Sequence, residues 1–337
     1  MSRRRSRGAL RALIPAALLL PLAACGTGGD GAAKASGESA SKAAGFPYTV
    51  DNCGVRTTFT APPERVVTMN QHTTEIMLAL GLKDRLAGTA YLDDKVLPQY
   101  EKDYQSVKVL AKEYPSYETL LGANPDFVYG GYSSAFDKAE GRERAALEKS
   151  GIKTRLNIEY CAQGRTGVQQ LAQEIREVGA TFGVRDRAEA LVEKAEATID
   201  ATEDKLKGTD PASVFVFDSG DSSVHTAGGK GIGNEIITLA GGRNIFADRA
   251  KTFTDVSWEQ IVERKPEIIV IYDYGGTPVA AKKKQLLEDP ALKDVPAVRN
   301  KRFAVLPLSS AVLGVRVPDA VRSLAGQLHP DAFKQPR

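Results

Sequence analysis

Short runs of β-branched and apolar residues alternate with stretches where apolar positions return at helical spacing. Residues 65–69 (RVVTM) predict a strand, and residues 73–81 (TTEIMLALG) a helix that stops at its glycine. Strands follow at 86–90 (LAGTA), 107–110 (VKVL), 126–130 (DFVYG) and 153–158 (KTRLNI), with a short helix from Ser116 and a helix over 135–150. From Val168 to Lys207 the chain is almost continuously helix-forming and has no proline; Gly183 divides it. The part after Gly183, about 23 residues, would span roughly 34 Å, the reach of a small domain. The βα series then resumes: strands at 213–219, 266–275 and 301–308, and helices at 234–242, 279–288 and from Pro318. Such alternation predicts an α/β fold.

One piece of this pattern occurs twice. SYETLLGANPDFVY begins at Ser116, and SWEQIVERKPEIIV begins at Ser257. Each copy has Ser, an aromatic, Glu, one apolar helical turn, Pro, an acid and a β-rich run. A second pair of landmarks, TEIMLALG and NEIITLAGG, keeps the same order. The duplication predicts two lobes, each with its own core and a parallel or mixed sheet flanked by helices, joined by one long interlobe helix. The divisions are 46–165 for the first lobe, 166–207 for the helical segment with the bridging helix, and 208–337 for the second lobe.

The N-terminus departs from this texture. A basic start, MSRRRSRGALR, precedes an apolar run of about a dozen residues, too short to cross a bilayer comfortably. Residues 1–24 read as a signal peptide. Leu22, Ala23, Ala24, Cys25 and Gly26 resemble the lipobox of bacterial lipoproteins, in which the cysteine is acylated. Residues 25–45 carry no large apolar side chain and read as a flexible tether. Removing residues 1–24 takes away five arginines and no acid, leaving 40 basic against 42 acidic residues, so the formal charge of +3 belongs to the leader and is no sign of nucleic-acid binding. Cys53 and Cys161 remain as a pair in an exported protein, where a disulfide persists; free buried thiols are the other reading.

The ordered set of residues 62–91, SYETLLGANPDFVY, GIGNEIITLAGGRNIF and residues 255–271 resembles the substrate-binding proteins of ABC importers, in the bilobal type whose lobes are joined by a single long helix. That group captures ferric siderophores, cobalamin and haem. The resemblance implies a monomeric receptor, lipid-anchored to the outer face of the cell membrane, that serves a homodimeric or heterodimeric permease. It also implies that Glu118 and Glu259, one per duplicated motif, dock onto the permease. Glu75 and Glu235, in the other repeated pair, are not given that role.

Ligands of open α/β sheets bind beyond the carboxyl ends of strands. Tyr91, Lys112 and Tyr132 in the first lobe, and His225, Phe253, Tyr272, Tyr274 and Arg316 in the second, are the candidate ligand contacts. These types suit a ferric siderophore: aromatic rings give stiff contact area, and Lys, Arg and Tyr donate to chelate oxygens. The iron arrives already wrapped, so the protein needs no metal ligand and no cofactor. A corrinoid or another bulky cofactor-like ligand is the alternative. With three histidines and no His-rich loop, direct metal-ion capture is a weaker reading. A hydrolytic enzyme is weaker still, since neither a zincin motif nor a nucleophile elbow is present. Residues 228–233 (GGKGIG) lack the hydroxyl residue that a phosphate loop places after its lysine, and read as a turn before a helix.

Overall fold

Two all-parallel sheets carry the fold in the computed structural model, which describes residues 45–161 and 164–334. The signal peptide, Cys25 and the tether up to residue 44 lie outside the described residues. An antiparallel hairpin of β1 (Tyr48–Asn52) and β2 (Val55–Phe59) comes first among the described residues. The first lobe follows as β3 (Val66–Met69), α1 (Gln71–Ala79), β4 (Leu86–Ala90), α2 (Pro98–Tyr104), β5 (Val109–Ala111), α3 (Tyr117–Gly122), β6 (Phe127–Gly130), α4 (Arg144–Lys149) and β7 (Lys153–Leu156). Its strands pair in the order β5-β4-β3-β6-β7. Helices α5 (Val168–Thr181) and α6 (Arg185–Leu206) come next. The second lobe contains β8 (Ala212–Phe217), β9 (Ser219–Gly220), β10 (Val224–Ala227), α7 (Ile232–Leu239), β11 (Gly242–Asn244), β12 (Phe253–Val256), α8 (Trp258–Arg264), β13 (Ile268–Asp273), α9 (Val279–Glu288), α10 (Pro296–Arg299), β14 (Phe303–Pro307) and α11 (Val317–Leu328). Its parallel sheet runs β11-β8-β13-β14, and β9, β10 and β12 form a small antiparallel sheet beside it.

The central strands are buried on both faces, which is why they read as unbroken apolar runs. Their side chains still divide by the period of two. Val66, Phe127 and Tyr129 face one cluster, and Val67, Met69 and Val128 the opposite one. In the second lobe Val214, Val216, Ile268 and Val270 face the first of these clusters, and Phe215, Phe217, Ile269 and Ile271 face away from it. The largest cluster therefore joins the inner faces of both sheets. It does so through Leu171, Ile175 and Val178 of α5, Val192 of α6, and Val321 and Leu324 of α11. This corrects the expectation of a separate core for each lobe: each lobe keeps its own outer cluster, and the inner one is shared.

Helix α6 has 22 residues, about 33 Å at the usual rise. It buries Ala188, Val192, Ala195, Ile199, Thr202 and Leu206, a stripe alternating steps of four and three, half-buries Leu191 and Thr198, and exposes the rest. Gly183 separates it from α5. Its φ of +70° ends α5 in a left-handed cap that a side chain would strain.

Residues 135–150 do not form the single helix expected. A 3-10 turn at Ser133–Phe136 and the short α4 are separated by a turn at Gly141, whose φ is +70°. Hairpin β1–β2 and helix α2 were not anticipated at all.

Cys53, in the turn of that hairpin, is disulfide-bonded to Cys161, with Cα atoms 4.9 Å apart and 108 residues between them in sequence. The bridge clamps the N-terminal hairpin to the end of the first lobe. Replacing both cysteines with serine is expected to lower unfolding stability by about 2–5 kcal/mol, because so long a loop is released in the unfolded chain. Urea unfolding of both forms measures this, and equal midpoints would deny the bridge a stabilising role.

Candidate functional site: a cleft between two switch points

In each parallel sheet the order of strands reverses at one place, and crevices open there beyond the strand ends. In the first lobe the reversal lies between β3 and β6. Asn70 follows β3, and its Oδ1 accepts hydrogen bonds from Gly131 N–H (3.2 Å), Tyr132 N–H (3.3 Å) and the Tyr114 hydroxyl (3.1 Å). In the second lobe the reversal lies between β8 and β13, which lead into Asp218 and Tyr274. The two crevices meet in one cavity of about 410 Å³. Tyr91, Asp93, Tyr114, Tyr132, Ser134 and Tyr160 line it from the first lobe, and Asp218, Ser219, His225, Phe253, Tyr274 and Leu308 from the second.

Two residues at this rim have left-handed backbone without being glycine: Asn70 (φ 86°) and Tyr91 (φ 52°), each directly after a strand. Such conformations persist where the surroundings over-determine them. Here the Asn70 hydrogen bonds do so, and Tyr91 packs edge-on against Tyr114 with centroids 4.6 Å apart. Tyr132 makes edge contacts with Tyr160 (5.2 Å) and with the buried His72 behind it (5.1 Å). On the facing wall His225 stacks on Phe253 at 5.5 Å, and its Nδ1 lies 2.9 Å from Asp255 Oδ1. The walls are thus aromatic rings locked against one another.

The charge in the cleft is acidic. Burial pushes the Asp93 carboxyl up to about 6, and the Tyr132 hydroxyl, 3.5 Å away, opposes this shift. Burial also raises Asp218, and Lys282 opposes it in turn. The Lys282 ammonium is not a lining group: it donates to the backbone carbonyls of Tyr272 (2.7 Å) and Tyr274 (3.0 Å). No lysine or arginine lines the cavity among the described residues. Burial raises the tyrosines: Tyr274 to about 12, and Tyr132 and Tyr160 well above the usual phenol value, so all three are neutral donors.

Behind the cleft the lobes are pinned together. Arg316, at the start of α11, donates through Nε to Glu75 Oε2 and through Nη2 to Glu75 Oε1, both at 2.7 Å. It donates further to Ser309 Oγ (2.9 Å) and the Lys95 carbonyl (2.6 Å). Both charged partners are buried, at 6% and 0% exposure. Glu159 of the first lobe accepts from Ile232 N–H (2.9 Å) and Leu313 N–H (2.8 Å) of the second, and burial pushes its carboxyl up to about 7. Asn157 donates to the Leu313 carbonyl at 3.0 Å.

Five of the eight residues expected at the ligand line the cleft: Tyr91, Tyr132, His225, Phe253 and Tyr274. Three do not. Lys112 is exposed beyond β5, and Tyr114, two residues on, turns inward in its place. Tyr272 is 1% exposed, because a residue inside a doubly covered strand points into core. Arg316 is occupied by Glu75 and borders a separate cavity beside residues 92–105. Asp93, Tyr114, Ser134, Tyr160, Asp218, Ser219 and Leu308 were missed. Asp218 carried a usable signal, since it directly follows a buried strand at a switch point. Tyr160 carried none, because it lies in a 3-10 turn past the end of β7.

The duplicated motif forms the same local structure twice. Ser116 and Ser257 cap α3 and α8, accepting from Thr119 N–H and Gln260 N–H. Glu118 and Glu259 sit exposed in the first turns. The Glu118 N–H and Ser116 hold the first carboxyl below the usual range, and Ser257 and the Glu259 N–H do so for the second. The glycine loop before α7 is used for close packing: a Cβ on Gly229 would lie 2.0 Å from the Ala247 carbonyl oxygen. Among the described residues no group of three or more His, Cys, Asp or Glu could hold a metal ion, and no helix is long and apolar enough to cross a membrane.

The sequence profile of the periplasmic binding protein family matches residues 66–309. Over 333 residues the chain is 28% identical to an ABC transporter substrate-binding lipoprotein of Bacillus subtilis strain 168, covering 96% of this chain and 99% of that one. It is 29% identical over 219 residues to the vitamin B12-binding protein of Vibrio campbellii, covering 62% of this chain and 70% of the relative. A solved periplasmic binding protein from Veillonella parvula superimposes with a TM-score of 0.78 at 30% identity, over 84% of this chain and 97% of that one.

Two predictions concern the joint. Glu75→Ala leaves a buried guanidinium with only the half-exposed Asp94, 3.5 Å away, as a countercharge and should cost about 3–5 kcal/mol in urea unfolding; a loss below about 1 kcal/mol, as for an exposed pair, would show that it does not hold the lobes. The second is a pH effect. The folded-state value of Glu159 lies above the ordinary 4.5, so its contribution to stability is full below about 4.5 and is lost as pH rises through about 7. Relative to Glu159→Gln, the wild type should lose on the order of 3 kcal/mol across that window. His72, held down at about 4 by burial, has the opposite sign, its contribution being lost as pH falls toward 4. Unfolding curves of both proteins at several pH values separate the two, and parallel profiles would contradict the Glu159 assignment.

Proposed function

This chain belongs to the periplasmic binding protein family, and from that premise we propose that it captures a bulky metal chelate in the interlobe cleft and delivers it to an ABC permease. Its relatives are substrate-binding proteins, not enzymes. The observation that carries the reading is the meeting of both switch points in one aromatic cavity with walls from each lobe. Small-molecule sites range over roughly 300–1,000 Å³, and about 410 Å³ lies toward the compact end. That favours a ferric siderophore. The vitamin B12-binding relative supports a corrinoid as the second reading.

Glu118 and Glu259 are the proposed contacts to the permease. Both are exposed, both are kept ionised by a helix N-terminus, and one stands on each lobe. Cys25 is the proposed lipid attachment, holding the receptor outside the membrane by residues 25–45; the lipoprotein relative supports this.

Native mass spectrometry of the protein against iron-loaded and iron-free chelators and corrinoids tests the ligand class. An iron-loaded chelator should be retained stoichiometrically, and retention of only bare metal ions would overturn the reading. Reversing charge at both docking sites (Glu118→Arg with Glu259→Arg) should abolish uptake in cells while leaving ligand affinity unchanged. Lost affinity with normal uptake would invert the assigned roles.

A further inference from the structure

The charge of the cleft restricts its guest more narrowly than its size does. Two carboxylates enter the aromatic cavity from opposite lobes, Asp93 beside Tyr132 and Asp218 at the end of β8. Asp218 is 7% exposed, and its Oδ1 has no hydrogen-bond partner among the described residues. A buried carboxylate oxygen left unpaired is costly, and Asp218 lines a cavity through which a donor can reach it. The neighbouring side-chain donors are committed elsewhere: Lys282 to two backbone carbonyls, and the His225 Nδ1 to Asp255. The remaining lining is mostly aromatic, and aromatic rings attract cations at their faces.

We propose that the cleft selects a cationic guest: a metal chelate bearing an ammonium or comparable N–H cation that Asp218 and Asp93 receive while the tyrosines enclose its body. This rests on the receptor reading above and narrows it to one ligand class. A hydroxamate-type chelate with a free amine has the required chemistry. A tricatecholate, whose iron complex is a trianion, would bring its charge against two carboxylates with no arginine or lysine to receive it.

The test is calorimetric titration of the full chain in detergent with four probes. They are a linear ferric trihydroxamate carrying a free ammonium group, the same chelate N-acetylated, a ferric tricatecholate and cyanocobalamin. A hydrogen bond to a charged group is worth about 1.5–3 kcal/mol, so the ammonium form should bind about ten- to hundredfold more tightly than the acetylated form. The tricatecholate should not compete. In Asp218→Asn and Asp93→Asn, checked for folding by circular dichroism, the gap between the two hydroxamates should shrink toward unity. Equal affinity for these two forms in the wild-type protein overturns the proposal without any variant. So does tight binding of the tricatecholate or of cyanocobalamin alone, and either result leaves the receptor reading standing. Binding of none of the four overturns both.

Discussion

The buried pair of Arg316 and Glu75 is the constraint on which the arrangement of the lobes depends. Each charge is costly to remove from water, and each is made tolerable by the other and by its neighbours. The bidentate geometry allows little sliding, and Ser309 and the Lys95 carbonyl fix two of the three remaining guanidinium protons. Glu159 adds a second fixed point by receiving two backbone N–H groups of the opposite lobe. With α5, α6 and α11 filling the shared inner cluster, the lobes are held by packing and ion pairing together. A cleft whose walls are set in this way is largely formed before a ligand arrives, and less ordering remains to oppose binding.

Much of this was legible in the sequence, for reasons that differ by element. Doubly buried strands write themselves as apolar runs, so β6 and β8 were read to within two residues of their bounds; the strand at 86–90 and the helix over 279–288 match theirs. Gly183 announced the division of the helical segment because a left-handed cap needs glycine. The duplicated Ser-to-Pro motif gave two capped helices followed by buried strands, since capping and strand burial are both local properties. The hairpin at Tyr48–Phe59 was hidden because its alternating exposure leaves little apolar signal.

The site was less legible than the fold, and Arg316 shows why. A guanidinium near a strand end is equally suited to a ligand or to a structural carboxylate, and only the three-dimensional arrangement decides. Its partner Glu75 lies 241 residues away. Lys112 failed for a shorter-range reason: past the end of β5 the turn of the chain, not residue type, decides which side chain faces inward, and Tyr114 does. Tyr272 failed by position: it lies inside the doubly buried stretch of its strand, whereas Tyr274, two residues on, lies past the strand end and reaches the cleft.

The acids of this protein divide into classes by environment alone. Glu118 and Glu259 lie at exposed helix starts, where backbone N–H groups and a serine hydroxyl favour the ionised form. Asp93 and Asp218 lie in the cleft, where burial favours the neutral form. The first pair already has what an anion needs and can present its charge outward without any partner. In the second pair Asp93 has the long hydrogen bond from Tyr132 and Asp218 Oδ1 has none, and a positively charged or N–H-bearing body entering the cleft would supply what is lacking. A carboxylate that is satisfied before contact suits a surface that must meet a large partner and release it. A carboxylate that is unsatisfied until contact suits a pocket that must hold a small one.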